Sequence, residues 1–217
     1  MTTIAPALLG ADPLALADAI TEVERAEVDL IHLDVMDGHF VHDISFGLNT
    51  VRAIRKRTAL PLDVHMQVQR PEQYLDELAA SGVDTVSVHV ESTLHLSAVL
   101  RRLETADIKR GVVINPATPL NTLDEVLDRI DQVVVMTCNP GTSDFQAQMV
   151  DKIRRLRALL EERRIDHVRV VADGGINASR ARVLAEAGAD VLVAASAVFS
   201  STHGDVAAGV AALRKAM

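Results

Sequence analysis

The sequence predicts an α/β protein that folds as a single (βα)8 barrel, a TIM barrel, with residues 1–217 in one domain. Eight short apolar runs recur along the chain with little polar alternation, which is typical of strands buried on both faces of a parallel sheet. Segments with helical spacing lie between these runs. Dividing 217 by eight gives about 27 residues for each strand and its helix, which is lean next to the ~250 residues typical of this fold.

The eight predicted strands follow one another along the whole chain. They are Ile4–Leu9, Leu30–Val35, Leu62–Met66, Thr85–Val90, Gly111–Ile114, Gln132–Thr137, Val168–Ala172 and Val191–Ala194. A proline at the first helical position indicates a helix start at three places. These are Asp12-Pro13, Arg70-Pro71 and Thr118-Pro119.

An open doubly wound sheet is the main rival to the barrel. A dinucleotide-binding sheet of that kind carries a G-x-G-x-x-G turn after its first strand. Here the turn reads Leu8-Leu9-Gly10-Ala11-Asp12, and no Pro/Ser-rich linker or block of charge divides the chain. The closed barrel is therefore the economical interpretation.

The composition argues against several classes of function. The chain has 22 Lys and Arg against 30 Asp and Glu, a formal charge of −8, which disfavours binding to nucleic acid or to an anionic membrane. Cys138 is the single cysteine, so an internal disulfide and a multi-cysteine metal site are excluded. No apolar stretch approaches the ~20 residues of a membrane span. We expect a cytoplasmic protein without a nucleic-acid or membrane partner.

Ionisable residues collect late in four of the predicted strands. In a parallel barrel these ends meet at one face, where reactive groups gather. His32 and Asp34 stand two residues apart in one strand, so they point to the same side of the sheet. The other members of this group are Asp63, His65, His89, Glu91 and Asp173.

A metal ion would explain why carboxylates and histidines converge in an aliphatic barrel. A single buried histidine is more often a hydrogen-bonded packing residue than a ligand. Two carboxylates buried together, however, cannot both stay ionised without a compensating cation. We therefore expect one divalent ion, of a kind that prefers mixed imidazole and carboxylate ligands (Zn, Fe, Mn or Co), to be held by His32, Asp34, His65 and Asp173.

Six blocks of sequence carry a family resemblance. They are Ile4–Leu9, His32–Val41, Asp63–Met66, Asn139–Gly141, Asp173–Gly175 and Ser196–Phe199. In order and spacing they resemble the signature of the ribulose-phosphate 3-epimerase family over nearly the whole chain, and the H-x-D-V-M-D-G-x-F-V block is highly specific. The resemblance implies a (βα)8 barrel, a bound divalent metal with the same four ligands, and interconversion of D-ribulose 5-phosphate with D-xylulose 5-phosphate.

The resemblance also implies that Asp34 and Asp173 are the acid/base pair. Inversion of a carbon beside a ketone requires one group to remove its proton and another, on the opposite face, to return one. Two aspartates on either side of a planar enediolate can exchange these roles, and each transfer contributes roughly 10²–10⁴-fold. The family resemblance further implies a metal that bridges the two oxygens and stabilises the enediolate. In the family this centre is lined by residues that match Met36, Met66 and Met136, although core packing explains these methionines equally well.

The part of the pattern that binds the substrate phosphate departs from the family. After Asn139-Pro140-Gly141 the family continues F-G-G-Q, but here a shorter segment reads Thr142-Ser143-Asp144-Phe145. Asp144 would either repel a phosphate or cap a helix. Other positions that differ from the family are Ala7, Gly10, Gln67 and Ala195.

We still expect a sugar or sugar phosphate to bind at this end of the barrel. Backbone N–H groups near a helix start, together with hydroxyls, can hold a phosphate. The expected binding residues are Ala7, Gly141, Thr142, Ser143, Gly174, Gly175, Ala195 and Ser196.

Several functions remain open. The expected activity is a ketose-phosphate 3-epimerase; the alternatives are the same chemistry on a six- or seven-carbon ketose phosphate or an unphosphorylated ketose, and a non-catalytic sugar-binding barrel. A metal-free decarboxylase or aldolase on a phosphate-binding barrel is a second class of enzyme, but a Schiff-base lyase would need a lysine at a strand end. All four lysines, Lys56, Lys109, Lys152 and Lys215, lie in predicted helices or before strands.

The remaining reactive residues are assigned to packing or to the surface. Cys138 has no histidine next to it in sequence, so burial explains it better than nucleophilic catalysis. Five histidines are expected on the surface or in loops, namely His39, His42, His95, His167 and His203. The family resemblance suggests a homo-oligomer, a dimer or a hexamer.

Overall fold

The β-branched runs form eight parallel strands in the computed structural model, which describes residues 2–200 and 205–217. The strands are β1 (Thr3–Pro6), β2 (Ile31–Met36), β3 (Leu62–Gln67), β4 (Thr85–His89), β5 (Lys109–Ile114), β6 (Gln132–Met136), β7 (Arg169–Asp173) and β8 (Val191–Ala194). Each strand from β2 to β8 pairs with the next in chain order, and β8 pairs with β1. One parallel bridge between Ala7 and His32 joins β1 to β2, so the sheet is a nearly closed barrel. The predicted fold class is confirmed.

Eight helices of the described residues surround the sheet. They are α1 (Leu16–Arg25), α2 (Leu48–Arg57), α3 (Leu75–Ala80), α4 (Leu96–Thr105), α5 (Met149–Glu162), α6 (Ala178–Glu186), α7 (Ser196–Phe199) and α8 (Val206–Ala216). Two 3₁₀ turns, Leu120–Leu123 and Leu127–Arg129, stand between β5 and β6 in place of an α-helix. Among residues 2–200 and 205–217, no helix has both the length and the apolar composition needed to cross a membrane.

The first strand is shorter than predicted. Seven of the predicted strands agree with the structure to within two residues at each end, but β1 ends at Pro6 instead of Leu9. Leu8–Gly10 forms a 3₁₀ turn in which Leu8 is buried in the core while Leu9 is exposed. The apolar run continues past the strand because Leu8 packs in a turn.

Two of the three helix starts were also predicted wrongly. Asp12 accepts a hydrogen bond from the Leu14 N–H (2.9 Å) and closes a turn, so α1 begins only at Leu16. Thr118 does not cap a helix because its hydroxyl donates to Glu91. The start at Pro71 is confirmed as a 3₁₀ turn, Pro71–Gln73, that leads into α3.

The barrel interior has an apolar arc and a polar arc. Side chains alternate along a strand, so every second residue points into the lumen. The lumen-facing residues of β1 and β5–β8 are mostly small or aliphatic, including Ala5, Val113, Val134, Val171 and Val193. Strands β2–β4 instead direct buried polar side chains inward, and these are His32, Asp34, Asp63, His65, Gln67, Thr85, Ser87 and His89. The functional groups therefore come mainly from one side of the barrel.

The lumen at Gly111 leaves no room for a side chain. A Cβ placed there would lie 1.9 Å from Ser87 Oγ, whereas a Cβ at Gly47, before α2, would meet nothing within 4 Å. We expect Gly111→Ala to lower the free energy of unfolding by about 1–3 kcal/mol, because Ser87 must move within a packed lumen. Gly47→Ala is the control and should change it far less. Urea denaturation of both variants measures the difference, and equal effects would contradict this account of the lumen.

Candidate active site

Four buried side chains meet at the carboxyl end of the lumen. His32 and Asp34 come from β2, His65 from β3, and Asp173 from the end of β7. One nitrogen or oxygen atom from each lies within 4.8 Å of the corresponding atoms of the others. Nδ1 of His65 is 3.2 Å from Asp34 Oδ1 and 3.1 Å from Asp173 Oδ2. The structure thus brings together the four residues predicted as metal ligands.

Each imidazole turns one nitrogen toward this cluster and has the other nitrogen occupied. Nδ1 of His32 is hydrogen-bonded to Asp63 Oδ2 at 2.9 Å, and Nε2 of His65 lies 2.8 Å from His89 Nε2. The inward Nε2 of His32 is buried and has no hydrogen-bond partner. Such outer partners are typical of metal-binding histidines. The residues present therefore fit a divalent ion bound by two imidazole nitrogens and two carboxylates.

Charge complementarity within the cluster shifts the pKa values of its members. Burial by itself lowers the pKa of His32, but the carboxylates of Asp34 and Asp63 outweigh burial and raise it well above its ordinary value. The pKa of His65 is raised in the same way, against burial, by Asp173 and Asp34. Burial raises the pKa of Asp34, but the two imidazoles lower it further than burial raises it. A metal ion would displace the imidazole protons, so its binding should weaken as the pH falls.

Comparison with known proteins identifies the family. The model of the ribulose-phosphate 3 epimerase family matches residues 3–199. A ribulose-phosphate 3-epimerase from Bacillus subtilis is 40% identical over 204 residues, which cover 93% of this chain and 94% of the relative. The chain belongs to the ribulose-phosphate 3-epimerase family. An enzyme of the same name from Methanocaldococcus jannaschii is 38% identical over 100% of this chain and 91% of its own length. The expected class of enzyme, an isomerase of the epimerase type, is thereby confirmed.

Solved structures support the barrel independently. A mutant tryptophan synthase α-subunit from Pyrococcus furiosus superposes with a TM-score of 0.74, covering 98% of both chains. The two sequences are only 17% identical, so this likeness concerns the fold alone.

In this member of the ribulose-phosphate 3-epimerase family, a cavity of about 330 Å³ opens beside the four-residue cluster. Gln67 lines this cavity and donates from Nε2 to Asp34 Oδ1 at 2.8 Å, which connects the cavity to the cluster. Two of the three predicted methionines, Met36 and Met136, line it. The cavity wall also contains the predicted binding residues Gly141, Thr142, Ser143 and Gly174.

The third methionine lies elsewhere. Met66 is fully buried in the outer core, between the sheet and the helices. Its neighbours His65 and Gln67 point inward, and strand alternation places Met66 on the opposite face. The expectation that Met66 lines the site is therefore wrong, and Gln67 occupies the inward position next to the cavity. The two-residue period counted from His65 could have shown this from the sequence.

The loop after β6 folds tightly over the Asp173-Gly174-Gly175 turn. The backbone N–H and the hydroxyl of Thr142 both donate to the Asn139 carbonyl, at 3.1 and 2.9 Å. The Ser143 carbonyl lies so close to Gly175 that a Cβ there would be 2.8 Å away, and Gly175 has a positive φ of 62°. Asp144 is exposed and does not cap a helix, since Gln148 stands at the N-cap of α5.

Arg180 is a cation beside this loop that the sequence analysis did not single out. Its guanidinium lies 4.6 Å from the centre of the Phe145 ring and donates to the Gly175 carbonyl. Gly175 belongs to a block that resembles the family and Phe145 to the segment that departs from it, whereas Arg180 lies in the first turn of α6 and outside every motif.

The other predicted binding residues are divided between separate places. Ala7 is buried against the apolar arc, with Ala195 packed beside it. A Cβ at Gly10 would lie 2.7 Å from the carbonyl carbon of Ala195, so glycine is required at position 10 by this close approach. Ser196 lines a different cavity, of about 500 Å³, between α6, α7 and α8.

No lysine lies at the carboxyl end of a strand in the described part of the chain. Lys109 opens β5 at its amino end, and the other three lysines lie in α2, α5 and α8. The ammonium of buried Lys152 does reach the loop after β5, where it donates to the carbonyls of Asn115, Pro116 and Thr118 at 3.0, 2.9 and 2.7 Å. All three of its protons are used in these bonds, so the Schiff-base alternative gains no support.

The histidines assigned to the surface are exposed where they are described. His39, His42, His95 and His167 are exposed, and His203 lies outside the described residues. His89 differs from them because it is fully buried against His65, and Phe40 lies over it with the ring centres 4.6 Å apart.

Cys138 should be unreactive in the folded protein. It is buried, its thiol donates to the Thr142 carbonyl at 3.1 Å, and burial together with the charge of Asp173 raises its pKa to about 11. Because the thiolate is the reactive form, we expect labelling by a disulfide reagent at mildly alkaline pH to be roughly 100-fold slower than in guanidinium chloride.

The same shift predicts how stability depends on pH. The pKa of Cys138 is higher in the folded state, so its contribution to stability is present below the pKa of the unfolded chain and is lost as the pH rises toward about 11. Cys138→Ser is the control and should neither label nor show that loss. Fast labelling of the native protein would contradict the burial of this thiol.

Proposed function

We propose that this protein inverts C3 of a ketose phosphate, interconverting ribulose 5-phosphate and xylulose 5-phosphate, with Asp34 and Asp173 as the acid/base pair. One observation carries the proposal. Two buried aspartates reach a single point from β2 and β7, which stand on different sides of the lumen, and both contact an imidazole there. The names of the relatives, ribulose-phosphate 3-epimerase, support the substrate class.

Asp34 is well placed to act as a base. Its carboxylate is buried but stays ionised beside His32 and His65, and the Gln67 amide holds Oδ1 at 2.8 Å. An ionised carboxylate next to the substrate can remove the proton from C3. Asp173 approaches from the other side and can return a proton to the opposite face, and the two residues exchange roles when the reaction runs in reverse.

The four clustered residues would also hold the cofactor, one divalent ion. His32, Asp34, His65 and Asp173 offer the mixed donor set that suits Zn, Fe, Mn or Co. When bound, such an ion would stabilise the negative charge that develops on the substrate oxygens, by several kcal/mol. Asp63 and His89 would keep the two imidazoles oriented toward it.

Removal of either aspartate should stop the exchange of the C3 proton. We expect Asp34→Asn and Asp173→Asn each to lower the rate at least by the roughly 10²–10⁴-fold that one proton transfer contributes, since an amide cannot accept the proton. Proton NMR of ribulose 5-phosphate in D₂O with metal-loaded protein measures both exchange and epimer formation. Metal content is measured for each variant, and Asp166→Asn, in an exposed loop, is the control.

The same measurement separates the alternative functions. Exchange and epimer formation with ribulose 5-phosphate would support the proposal. Exchange only with a six- or seven-carbon ketose phosphate or an unphosphorylated ketose would keep the mechanism and change the substrate. Wild-type protein that exchanges none of these at full metal occupancy would be a sugar-binding barrel.

One observation favours testing an unphosphorylated ketose in particular. The residues that line the cavity of about 330 Å³ include Asp43 but neither lysine nor arginine. Asp144 lies near enough for its charge to contribute to the raised pKa of Cys138, another lining residue. A dianionic phosphate in this cavity would therefore meet Asp43 on the wall, with Asp144 outside it, and would depend on backbone N–H groups.

The acidic loop gives a test of where a phosphate would bind. If the phosphate lies near Asp144, Asp144→Asn should lower KM for the ketose phosphate by up to about five-fold at low salt, because a like charge is removed. KM for an unphosphorylated ketose and kcat for both should change little. Steady-state kinetics at low and high salt measure this, and an equal change for both substrates would show that the phosphate binds elsewhere.

A further inference from the structure

A row of three side chains leads away from the cluster through the wall of the barrel. Nε2 of His65 lies 2.8 Å from Nε2 of His89, and their rings stack with centres 4.9 Å apart. Nδ1 of His89 lies 3.3 Å from Glu91 Oε2. Both histidines are fully buried, whereas the Glu91 side chain is 25% exposed. The row therefore runs from the buried centre to the surface.

The bond between the two imidazoles needs a single proton. His65 faces Asp34 and Asp173 with Nδ1, and a nitrogen that binds a metal ion carries no proton. The proton of His65 is then on Nε2, which donates to Nε2 of His89. Since His89 accepts there, its own proton is on Nδ1, which lies 3.3 Å from Glu91 Oε2 but makes no hydrogen bond with the residues that the structure describes. The opposite order would place a proton on Nδ1 of His65 and prevent it from binding the ion.

A carboxylate at position 91 favours the arrangement in which His65 donates to His89, because an ionised carboxylate can only accept hydrogen bonds. Its Oε2 faces His89, while Oε1 accepts from the Asn115 N–H at 3.0 Å and from the Thr118 hydroxyl. Burial raises the pKa of Glu91, but these partners outweigh burial and lower it, so the group is ionised near neutral pH. Glu91 therefore presents an acceptor to His89 and to the loop at the same time.

The loop after β5, which donates hydrogen bonds to Glu91, is itself held in place by a residue of α5. Lys152, on α5, donates to three backbone carbonyls between positions 115 and 118. No α-helix lies between β5 and β6 in the described chain, so these bonds replace the support that a helix would give. The orientation of Glu91 thus depends on packing well away from the cluster.

We propose that Glu91 and His89 are positioning residues that hold His65 in the tautomer that binds the metal ion. This inference rests on the proposed function, since it assigns a role to residues outside the four ligands of that site. If the row served packing alone, substitutions that keep its shape would leave metal affinity unchanged.

Glu91→Gln is the sharpest test. The Asn115 N–H can only donate and so requires the amide oxygen, which leaves the NH₂ group facing His89. This NH₂ group requires an acceptor at Nδ1 of His89. The proton of His89 is then on Nε2, and the proton of His65 is on Nδ1, where it prevents metal binding. We expect cobalt(II) affinity to fall by about 10–100-fold and the visible spectrum of bound cobalt to change. Glu72→Gln removes the same charge near the same loops, and it should bind cobalt as the wild type does.

His89 gives a second pair of variants. His89→Leu removes the acceptor for His65 and should also weaken cobalt binding by about 10–100-fold, whereas His89→Gln retains an acceptor oxygen and should recover part of the affinity. In zinc-loaded wild-type protein, the nitrogen shifts of the rings should report protons on Nε2 of His65 and Nδ1 of His89. Circular dichroism establishes that each variant folds, and Glu91→Gln decides the question if His89→Leu does not.

The outcomes distinguish this proposal from the proposed function. Wild-type affinity and spectrum in Glu91→Gln, or a proton on Nδ1 of His65 in the zinc-loaded protein, would overturn the positioning role and leave the epimerase proposal intact. Wild-type protein that binds no cobalt would refute both. Weaker cobalt binding in Glu91→Gln and not in Glu72→Gln would support the positioning role, whatever ketose proves to be the substrate.

Discussion

The burial of two carboxylates in one lumen is the constraint on which the rest of this site depends. Asp34 and Asp173 both lie at the end of an aliphatic barrel, where an isolated charge is very costly. His32 and His65 face them directly and balance their charge. The imidazoles in turn require fixed tautomers, which Asp63 and His89 provide from behind. Polar residues therefore extend from the centre into the wall as a consequence of two charges at one point.

The same constraint explains the layer beneath the cluster. Asp63 accepts from His32 with one oxygen and from the Gln132 amide with the other, at 2.9 Å each. Gln132 also donates to Ser87, and its own oxygen accepts from Arg169 near the amino end of the barrel. Each polar atom named here has a partner, as buried polar groups require. The absent Cβ at Gly111 leaves space for Ser87 in this layer, so a glycine in a strand serves the polar network.

The sequence predicted the parts that follow from short-range periodicity. Apolar runs with little polar alternation predicted the strands, and a spacing of two residues predicted that His32 and Asp34 share a face. Met66 was misplaced because it was assigned by family position, although the period from His65 contradicts that assignment. The contacts of Lys152 and Glu91 with the loop after β5 could not be predicted, since they join residues 24 or more positions apart through tertiary packing. Thr118 was read as a helix cap for the same reason, because its partner Glu91 is distant in sequence.

The division between strands and loops suggests how such a barrel can change its substrate. The four clustered residues lie in strands whose positions are set by the hydrogen-bonded sheet. The positions that differ from the expected family pattern lie mainly in loops, at positions 142–144 and at Gly10 beside Ala195. Loops tolerate such change because few core contacts depend on them. Within the loops the changes are still coupled: Ser143 lies on Gly175, and Gly10 lies on Ala195, so one altered segment limits what its neighbour can be. The proposed acid/base groups on rigid strands can therefore keep their geometry while the surrounding loops adapt together to a different sugar.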